Sequence, residues 1–267
     1  MTENRQEDVV RDEVRRRYEE IARCEAGSCC CDSDCCGGAT SVDAVDRGAQ
    51  KGYTAEELAG LPQGADMSLG CGNPAAIAGL KPGETVLDLG SGGGIDCFLA
   101  ARQVGETGQV IGVDMTPEMV SQARKNAVRG DYGNVEFRLG EIEHLPVADD
   151  SVDVIISNCV INLSTDKRAV LDEAYRVLRP EGRLAITDTV ATAPLPEQVR
   201  EDASLWSACI AGAVFVDDLR DMLQDVGFSQ IHIRPKEESR QVIREWAPGR
   251  DVEEYVVSAS IEAVKPT

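Results

Sequence analysis

Short apolar runs alternate with amphipathic stretches between residues 81 and 190, and this alternation restricts the fold more than any other feature of the chain. Strand–helix–strand units are joined by right-handed crossovers, which place parallel strands in one sheet with helices on both faces. The sequence therefore predicts an α/β fold with a doubly wound, mostly parallel sheet. The predicted strands are TVLDLG (85–90), QVIGVDM (109–115), NVEFRLG (134–140), SVDVIISN (151–158) and GRLAITDTV (182–190), and the predicted helices between them span 96–104, 117–129 and 166–178.

Different patterns flank this part of the chain. At the N-terminus Val10, Val14, Tyr18 and Ile21 are spaced by four, four and three residues, which is typical of one apolar face of a helix. The following residues, 27–48, are small, polar and rich in glycine and cysteine, so they are poorly suited to a core. Toward the C-terminus the patterns predict a helix at 216–226 and strands near 229–234 and 254–264.

The charge balance excludes several classes of partner. The chain has 47 acidic and 27 basic residues, a formal net charge of −20, which repels nucleic-acid phosphates and anionic membrane surfaces. No apolar run approaches the ~18 residues that a membrane-spanning helix needs. The charged N-terminal segment does not resemble a secretory signal. We therefore expect a cytoplasmic protein that binds neither nucleic acid nor membrane.

A glycine-rich turn follows the first predicted strand. Its sequence, DLGSGGG (88–94), allows a ligand to approach the backbone closely at the carboxyl end of the sheet. The spacing is G-x-G-x-G, because Ile95 stands where a dinucleotide fingerprint would have a small residue. Asp88 adds a negative charge where a pyrophosphate would lie, so a cationic cofactor is favoured. Asp114 ends the second strand, where a carboxylate can accept hydrogen bonds from both ribose hydroxyls.

These features resemble the class I S-adenosylmethionine-dependent methyltransferases. The resemblance is carried by DLGSGGG, by Asp114 and by RVLRPEGRL (176–184). It implies a seven-stranded Rossmann-like sheet with one antiparallel strand, and S-adenosylmethionine as the cofactor. It also implies that Glu141 and Ile142 flank the adenine. The cofactor-binding residues expected on this basis are Asp88, Gly90, Gly92, Gly94, Asp114, Met115, Glu141, Ile142 and Asn158.

The cysteines are the second unusual feature. The chain has ten cysteines and two histidines, an inventory that favours a soft, thiophilic ligand over a mixed Cys/His zinc site. Because cytosolic thiols stay reduced, a framework of disulfides is not expected as the resting state. Cys97 lies among apolar residues of a predicted helix and is interpreted as packing. Six cysteines fall within thirteen residues: Cys24, Cys29, Cys30, Cys31, Cys35 and Cys36.

Three isolated cysteines occupy positions of a different kind. Cys159 lies in SNCVINL (157–163), just after the fourth strand, where enzymes that methylate bases carry an aromatic platform. Cys71 lies in the turn-rich LGCGNP, and Cys209 follows the fifth strand in a segment that we expect to cover the substrate. Taken alone, Cys159 could equally be a core residue. Together the three thiols suit three-coordinate As(III), whose lone pair can attack a methyl group without a general base.

The wider pattern resembles the arsenite methyltransferase family. The supporting motifs are the N-terminal cysteine cluster, YTAEEL, LGCGNP, VDMTPEM, SNCVINL and CIAGA. The resemblance implies that Cys71, Cys159 and Cys209 ligate arsenic, with an arsenical substrate and an external thiol or thioredoxin-type reductant. It further implies that an N-terminal cysteine assists reduction by forming a disulfide with Cys71, and distance along the chain favours Cys35 or Cys36. The run Cys29-Cys30-Cys31 could instead capture arsenite or bind zinc, although the chain lacks C-x-x-C spacing.

We expect three segments: an N-terminal helix with the Cys-rich loop (1–52), an S-adenosylmethionine-binding core (53–190), and a substrate-covering segment with the last elements of the sheet (191–267). Two other functions remain open at this point. One is a methyltransferase for another small thiol, chalcogen or metalloid, in which the cysteines only shape a pocket. The other is a Cys-rich metal-binding or sensor protein on a methyltransferase fold. A nicotinamide dehydrogenase is disfavoured by Ile95 and Asp88.

Overall fold

Seven strands form a single sheet in the computed structural model, which describes residues 3–25, 51–67 and 69–267. The predicted Cys-rich loop at 27–48 lies outside these ranges. The strands are β1 (Thr85–Leu89), β2 (Gln109–Asp114), β3 (Val135–Leu139), β4 (Val152–Asn158), β5 (Leu178–Ala191), β6 (Ser229–Lys236) and β7 (Val256–Val264). The helices are α1 (Glu3–Glu25), α2 (Ala55–Leu58), α3 (Pro74–Ala78), α4 (Ile95–Val104), α5 (Pro117–Arg129), α6 (Lys167–Val177), α7 (Glu197–Arg200), α8 (Ala203–Trp206), α9 (Val216–Val226) and α10 (Arg240–Trp246).

The strand order is β3-β2-β1-β4-β5-β7-β6. The first five strands run parallel, and β7 lies antiparallel between β5 and β6. This order confirms the predicted doubly wound α/β sheet with one antiparallel strand. The order reverses between β1 and β4, and open sheets of this type bind ligands outside the carboxyl ends of the strands at such a switch point.

Helices cover both faces because the inner strands are apolar on both sides. All residues of β1 except the first are buried. One cluster of buried side chains lies between the sheet and α6 and α9, and a second lies between the sheet and α4 and α5. Strands buried on both faces are the expected form of a parallel sheet between two helical layers. The apolar runs of the sequence therefore predict correctly which residues form the central strands.

Strand β5 differs from its prediction, and the short helices α2, α3, α7, α8 and α10 were not predicted. Strand β5 begins at Leu178, before the predicted start at residue 182, because Leu178 pairs with Val152 while Arg183 pairs with Val154. The residues between them form an irregularity in which Glu181 has a positive φ of 67°. Pro180 and Gly182 therefore mark a bulge inside the strand, rather than a turn before it. Helix α10 was not predicted, since its seven residues carry little periodic signal.

The predicted N-terminal helix is present and extends over Glu3–Glu25. Val14 is its most buried described apolar side chain, at 1% exposure. The helix is also attached through ion pairs: Arg15 contacts Glu141 at 3.0 Å, and Arg23 contacts Glu118 at 2.7 Å. Glu141 follows β3 and Glu118 lies in the first turn of α5, so the helix lies against the carboxyl-end side of β2 and β3. In the described part of the chain, none of the helices is long and apolar enough to span a membrane.

Candidate active site

A cavity opens at the carboxyl ends of β1, β2 and β4, at the switch point. Its lining includes residues of the glycine turn, of the β2 end, of the segment after β3 and of the β4 end, and helix α1 contributes Arg11, Val14 and Tyr18. Most of the residues expected to bind the cofactor lie in this lining: Asp88, Gly90, Gly92, Asp114, Met115, Ile142 and Asn158. Gly94 and Glu141 do not belong to the lining.

The glycine turn has a shape that other residues would not allow. Gly90 has a φ of +69°, and a Cβ atom there would lie 2.5 Å from Val160 Cγ2. Gly92 also has a positive φ, +51°, and its N–H donates a 2.9 Å hydrogen bond to the Asp114 carboxylate. Gly94 begins helix α4 with a φ of +97°, so it shapes the turn without lining the cavity. The turn leaves backbone exposed to a ligand, as its sequence predicts.

Three buried carboxyl groups give the cavity a cation-binding character. Asp88, Asp96 and Asp114 are all less than 10% exposed. Burial raises the pKa of each of them, and for Asp96 the pKa is raised to about 6. The charge of Asp96 raises the pKa of Asp88 further. A cationic ligand in the cavity would favour the charged carboxylates, so this donor set fits a sulfonium.

A further observation supports a polar ligand in the same cavity. The hydroxyl of Ser91 is buried, lines the cavity and has no hydrogen-bond partner among the described residues. A buried hydroxyl without a partner is unusual in a folded protein. Asp114 accepts backbone N–H bonds from Gly92 and Thr116 at 2.9 and 2.8 Å, which leaves a second lone pair on each oxygen for ribose hydroxyls. The residues present therefore fit S-adenosylmethionine.

The segment after β3 differs in one detail from the expected arrangement. Ile142 lines the cavity, and so does Glu143. The carboxylate of Glu141 instead accepts a hydrogen bond from Arg15 of α1 at 3.0 Å. Glu141 therefore attaches the N-terminal helix beside the cavity. Its expected contact with adenine stays a prediction.

The three isolated cysteines meet beside this cavity. Cys71 and Cys159 form a disulfide across a sequence separation of 88 residues, with their Cα atoms 5.9 Å apart. The thiol of Cys209 donates a hydrogen bond to the carbonyl oxygen of Cys159 at 2.7 Å. The Sγ atoms of Cys159 and Cys209 lie within 4.8 Å of each other. The three cysteines expected to act together are therefore neighbours, but Cys71 and Cys159 are joined in a disulfide where free thiols were expected.

The side chain of Asn158 holds the Cys71 loop against the end of β4. Its carbonyl oxygen accepts the N–H groups of Cys71 at 2.9 Å and Gly72 at 3.2 Å, and its amide donates to the Gly72 carbonyl at 2.7 Å. The same amide donates to Tyr53 and Asp96. This contact brings the sulfur of Cys71 to that of Cys159, which follows Asn158 directly. The resemblance implies that Asn158 contacts the cofactor, which stays a prediction, and its hydrogen bonds show that it positions the Cys71 loop.

Cys159 and Cys209 share an uncommon backbone conformation. Their φ angles are +57° and +59°, in the left-handed region that residues other than glycine seldom adopt. Each such residue costs about 1–3 kcal/mol and persists only when its surroundings fix it. The Cys159 N–H donates to the Thr187 carbonyl at 2.8 Å, and the Thr189 hydroxyl donates to the Cys209 carbonyl. Both cysteines are therefore held by strand β5.

Two features of the site were not predicted from the sequence: the contact of Cys97 with Asp88 and the position of Asp188. Cys97 is buried as expected, but its thiol also donates to Asp88 at 3.2 Å. Asp188 lies beside Cys159 and Cys209, and its only signal is a carboxylate in the apolar strand LAITDTV. The predicted N-terminal reductive cysteines, Cys35 and Cys36, lie outside the described residues, as do Cys29-Cys30-Cys31 and the side chain of Cys24.

Comparisons with known proteins agree with this geometry. Residues 80–227 match the family model described as a methyltransferase domain. The arsenite methyltransferase of Halobacterium salinarum is 53% identical over 275 residues, covering 100% of this chain and 69% of that protein. The chain belongs to the arsenite methyltransferase family of S-adenosylmethionine-dependent methyltransferases.

Two other relatives show how far the similarity extends. The human arsenite methyltransferase is 43% identical over 152 residues, which cover 54% of this chain and 40% of the human protein. The crystal structure of an arsenic(III) S-adenosylmethionine methyltransferase from Chlamydomonas reinhardtii superimposes with a TM-score of 0.60 at 36% identity, over 84% of this chain and 73% of that one. The family relation therefore rests on both sequence and fold.

The acidic cavity predicts a pH-dependent affinity for S-adenosylmethionine. Because the pKa of Asp96 in the free protein is about 6 and the cation favours its charged form, binding should release protons below neutral pH. We expect the dissociation constant to rise about tenfold from pH 7.5 to pH 5, as a single such group would produce. Isothermal titration calorimetry measures this directly. Asp96→Asn should make the profile less steep, and S-adenosylhomocysteine, which lacks the sulfonium charge, should show a weaker dependence. An identical profile in wild type and variant would refute the role of Asp96.

The close approach of the Cys71 loop to β5 gives a second prediction. A Cβ atom at Gly72 would lie 2.7 Å from Thr187 Cγ2, whereas one at Gly133 would meet nothing within 4 Å. Gly72→Ala should lower the free energy of unfolding of the reduced protein by about 1–3 kcal/mol, as other overpacked sites do. It should also slow formation of the Cys71–Cys159 disulfide. Gly133→Ala is the matched control and should change neither quantity. Denaturant titration and peptide mapping of oxidised samples test both, and normal stability in Gly72→Ala would show that the loop adapts freely.

Proposed function

We propose that this chain methylates trivalent arsenic, with S-adenosylmethionine as the methyl donor and Cys71, Cys159 and Cys209 as the arsenic ligands. One observation carries the proposal: three cysteines far apart in the sequence meet at the edge of a cavity whose lining suits a cationic donor. The names of its relatives in Halobacterium and Chlamydomonas support arsenic as the acceptor.

Thiolate ligands account for how arsenite would bind. Soft sulfur donors suit a soft, three-coordinate centre. Each ligand exchange forms one As–S bond and breaks one As–O bond, and the thiol proton leaves with the hydroxide as water. After three exchanges arsenic carries three sulfurs and one lone pair. That lone pair bears no proton, so a general base is not required. Neither His144 nor His232 lines the cavity, which is compatible with such a reaction.

Position is the main contribution of the protein to the transfer itself. S-adenosylmethionine, when bound, supplies an electrophilic methyl group on a sulfonium. Cys159 both lines the cofactor cavity and adjoins Cys209, so an arsenic atom on these sulfurs would face the cavity. Val14 and Tyr18 of α1 lie across the cavity and limit access of water. Holding two reactants in this way can supply about 7–11 kcal/mol of the barrier.

The proposed cycle requires an external reductant. The Cys71–Cys159 disulfide must accept two electrons to give two thiols before arsenic can bind. A small thiol or a thioredoxin-type protein would provide them by disulfide exchange. Methylated arsenic is formally pentavalent, and its return to the trivalent state needs two further electrons. We assign this step to an N-terminal cysteine, Cys35 or Cys36, whose thiolate attacks the arsenic-bound sulfur of Cys71. An S–S bond forms, the As–S bond breaks, and its electron pair stays on arsenic; the external reductant then reduces the disulfide. Such a cycle suits the reducing cytoplasm.

The ligand assignment predicts a selective loss of activity. Cys159→Ser and Cys209→Ser should each reduce methylation of arsenite to background, because a hydroxyl is a hard and weakly acidic ligand. The affinity for S-adenosylmethionine should stay within about twofold of the wild type in Cys209→Ser, since that residue does not line the cavity. Arsenic speciation by chromatography and mass spectrometry, beside calorimetry with the cofactor, measures both quantities.

Cys97→Ser provides the matched control, since this cysteine does not line the cavity and a serine hydroxyl can still donate to Asp88. It should retain arsenite methylation. Wild-type turnover in Cys159→Ser or Cys209→Ser would refute the three-thiolate assignment. Formation of S-adenosylhomocysteine with a small thiol, but without methylated arsenic, would instead favour a different acceptor.

A further inference from the structure

Asp188 is a buried carboxyl group at the place where arsenic is proposed to bind. It lies in β5 at 2% exposure. A carboxylate oxygen of Asp188 and the sulfurs of Cys159 and Cys209 all lie within 4.8 Å of one another. Burying a carboxylate costs several kcal/mol unless its surroundings compensate. Its position next to two proposed ligands therefore calls for an explanation.

Neutral hydrogen-bond donors surround Asp188 and offset part of the cost of burying its charge. Its oxygens accept hydrogen bonds from the Thr189 N–H at 2.8 Å, the Asn162 side-chain amide at 2.9 Å and the Asn162 N–H at 3.3 Å. Among the ion pairs of the described residues, none includes Asp188. Asn162 is itself fixed, since its amide also donates to the Thr189 carbonyl at 2.6 Å. The carboxylate is thus fixed in place by neutral donors, and none of the described ion pairs would compete with a cation at the sulfurs.

The other titratable groups near Asp188 leave this charge available. Lys167 of α6 is the cation that acts on it, but its ammonium group donates to the Ser164 carbonyl at 2.9 Å and lies 5.4 Å from the Trp206 ring centroid. Tyr18 of α1 and the Cys209 thiol also face the carboxylate, and burial raises the pKa of both. Neither a phenol nor a thiol carries a positive charge, so neither group neutralises the carboxylate. A positive charge arising at the sulfurs would have the Asp188 carboxylate beside it.

We propose that Asp188 stabilises the positive charge that develops on arsenic during methyl transfer, an inference that rests on the proposed function. In that step the arsenic lone pair forms the As–C bond. The C–S bond breaks, and its electron pair stays on sulfur, which becomes the neutral thioether of S-adenosylhomocysteine. Arsenic goes from a neutral trithiolate to a methylated cation and is oxidised from the trivalent to the pentavalent state. The unit charge thus moves from sulfur to arsenic.

The location of Asp188 makes this effect specific to the transition state. Asp188 does not line the cofactor cavity, whereas Cys159 does. An arsenic atom on the Cys159 and Cys209 sulfurs would thus be closer to Asp188 than the sulfonium is. Only an interaction that is stronger in the transition state than in the ground state accelerates a reaction. A fixed carboxylate on the arsenic side meets this condition, and it needs no reorganisation during the reaction.

The test separates binding from transfer in Asp188→Asn. The full-length, reduced protein is loaded with arsenite and S-adenosylmethionine and quenched during a single turnover, and methylated arsenic is quantified. Affinities for arsenite and cofactor are measured separately, by tryptophan fluorescence and calorimetry. We expect both affinities to be retained and the transfer rate to fall about 100-fold, the effect of removing one preorganised group from an enzyme site. Glu253→Gln removes another buried carboxyl, which pairs with Arg244 and does not belong to the group around Cys159 and Cys209, and it should leave the rate unchanged.

Each outcome decides a different point. A rate in Asp188→Asn within about threefold of the wild type would overturn the role of Asp188, and so would a loss of arsenite affinity that explains the whole defect. If Asp188→Asn does not fold, Asp188→Ser should show the same loss of rate, and a normal rate there overturns the proposal. A wild-type protein that binds arsenite and cofactor but forms no methylated arsenic would refute the proposed function itself.

Discussion

The hydrogen bonds of one side chain, Asn158, determine where the chemistry can take place. At the end of β4 its amide holds the Cys71 loop on one side and Tyr53 and Asp96 on the other. The loop brings a cysteine to Cys159, and the contact with Asp96 joins the same cluster to the cofactor cavity. The proposed arsenic site and the cofactor site are therefore connected by one residue at the switch point of the sheet, where α/β folds bind their ligands.

Two sets of buried carboxyl groups serve the two halves of the site. Asp88, Asp96 and Asp114 surround the cavity that fits a sulfonium, and Asp188 lies beside the cysteines. Under the proposed mechanism a single positive charge moves from the first set toward the second. Burial raises the pKa of all four groups, so each is poised to gain from a cation at its own position. The negative net charge of the chain, −20, is compatible with binding a donor that carries a positive charge.

The sequence predicts the sheet, the glycine turn and the three central cysteines because each leaves a local pattern. Strands buried on both faces appear as apolar runs. Cys71 stands in a turn-rich segment, and Cys209 stands in a segment after the fifth strand that was expected to cover the substrate. Contacts across distant segments leave no such pattern. The hold of Asn158 on the Cys71 loop depends on close approach across 87 residues, and the position of Asp188 depends on the pairing of β4 with β5. The bulge near the start of β5 could not be predicted from the sequence either, because Pro180 and Gly182 are as common in turns as in bulges.

The most direct test of the central claim is X-ray absorption spectroscopy at the arsenic edge on the reduced, arsenite-loaded protein. The three-thiolate account predicts three sulfur neighbours and no oxygen in the first coordination shell. Each of the three variants Cys71→Ser, Cys159→Ser and Cys209→Ser should have fewer sulfur neighbours around arsenic than the wild type. Oxygen neighbours in the wild-type protein, or a spectrum unchanged in all three variants, would contradict the account and place arsenic elsewhere.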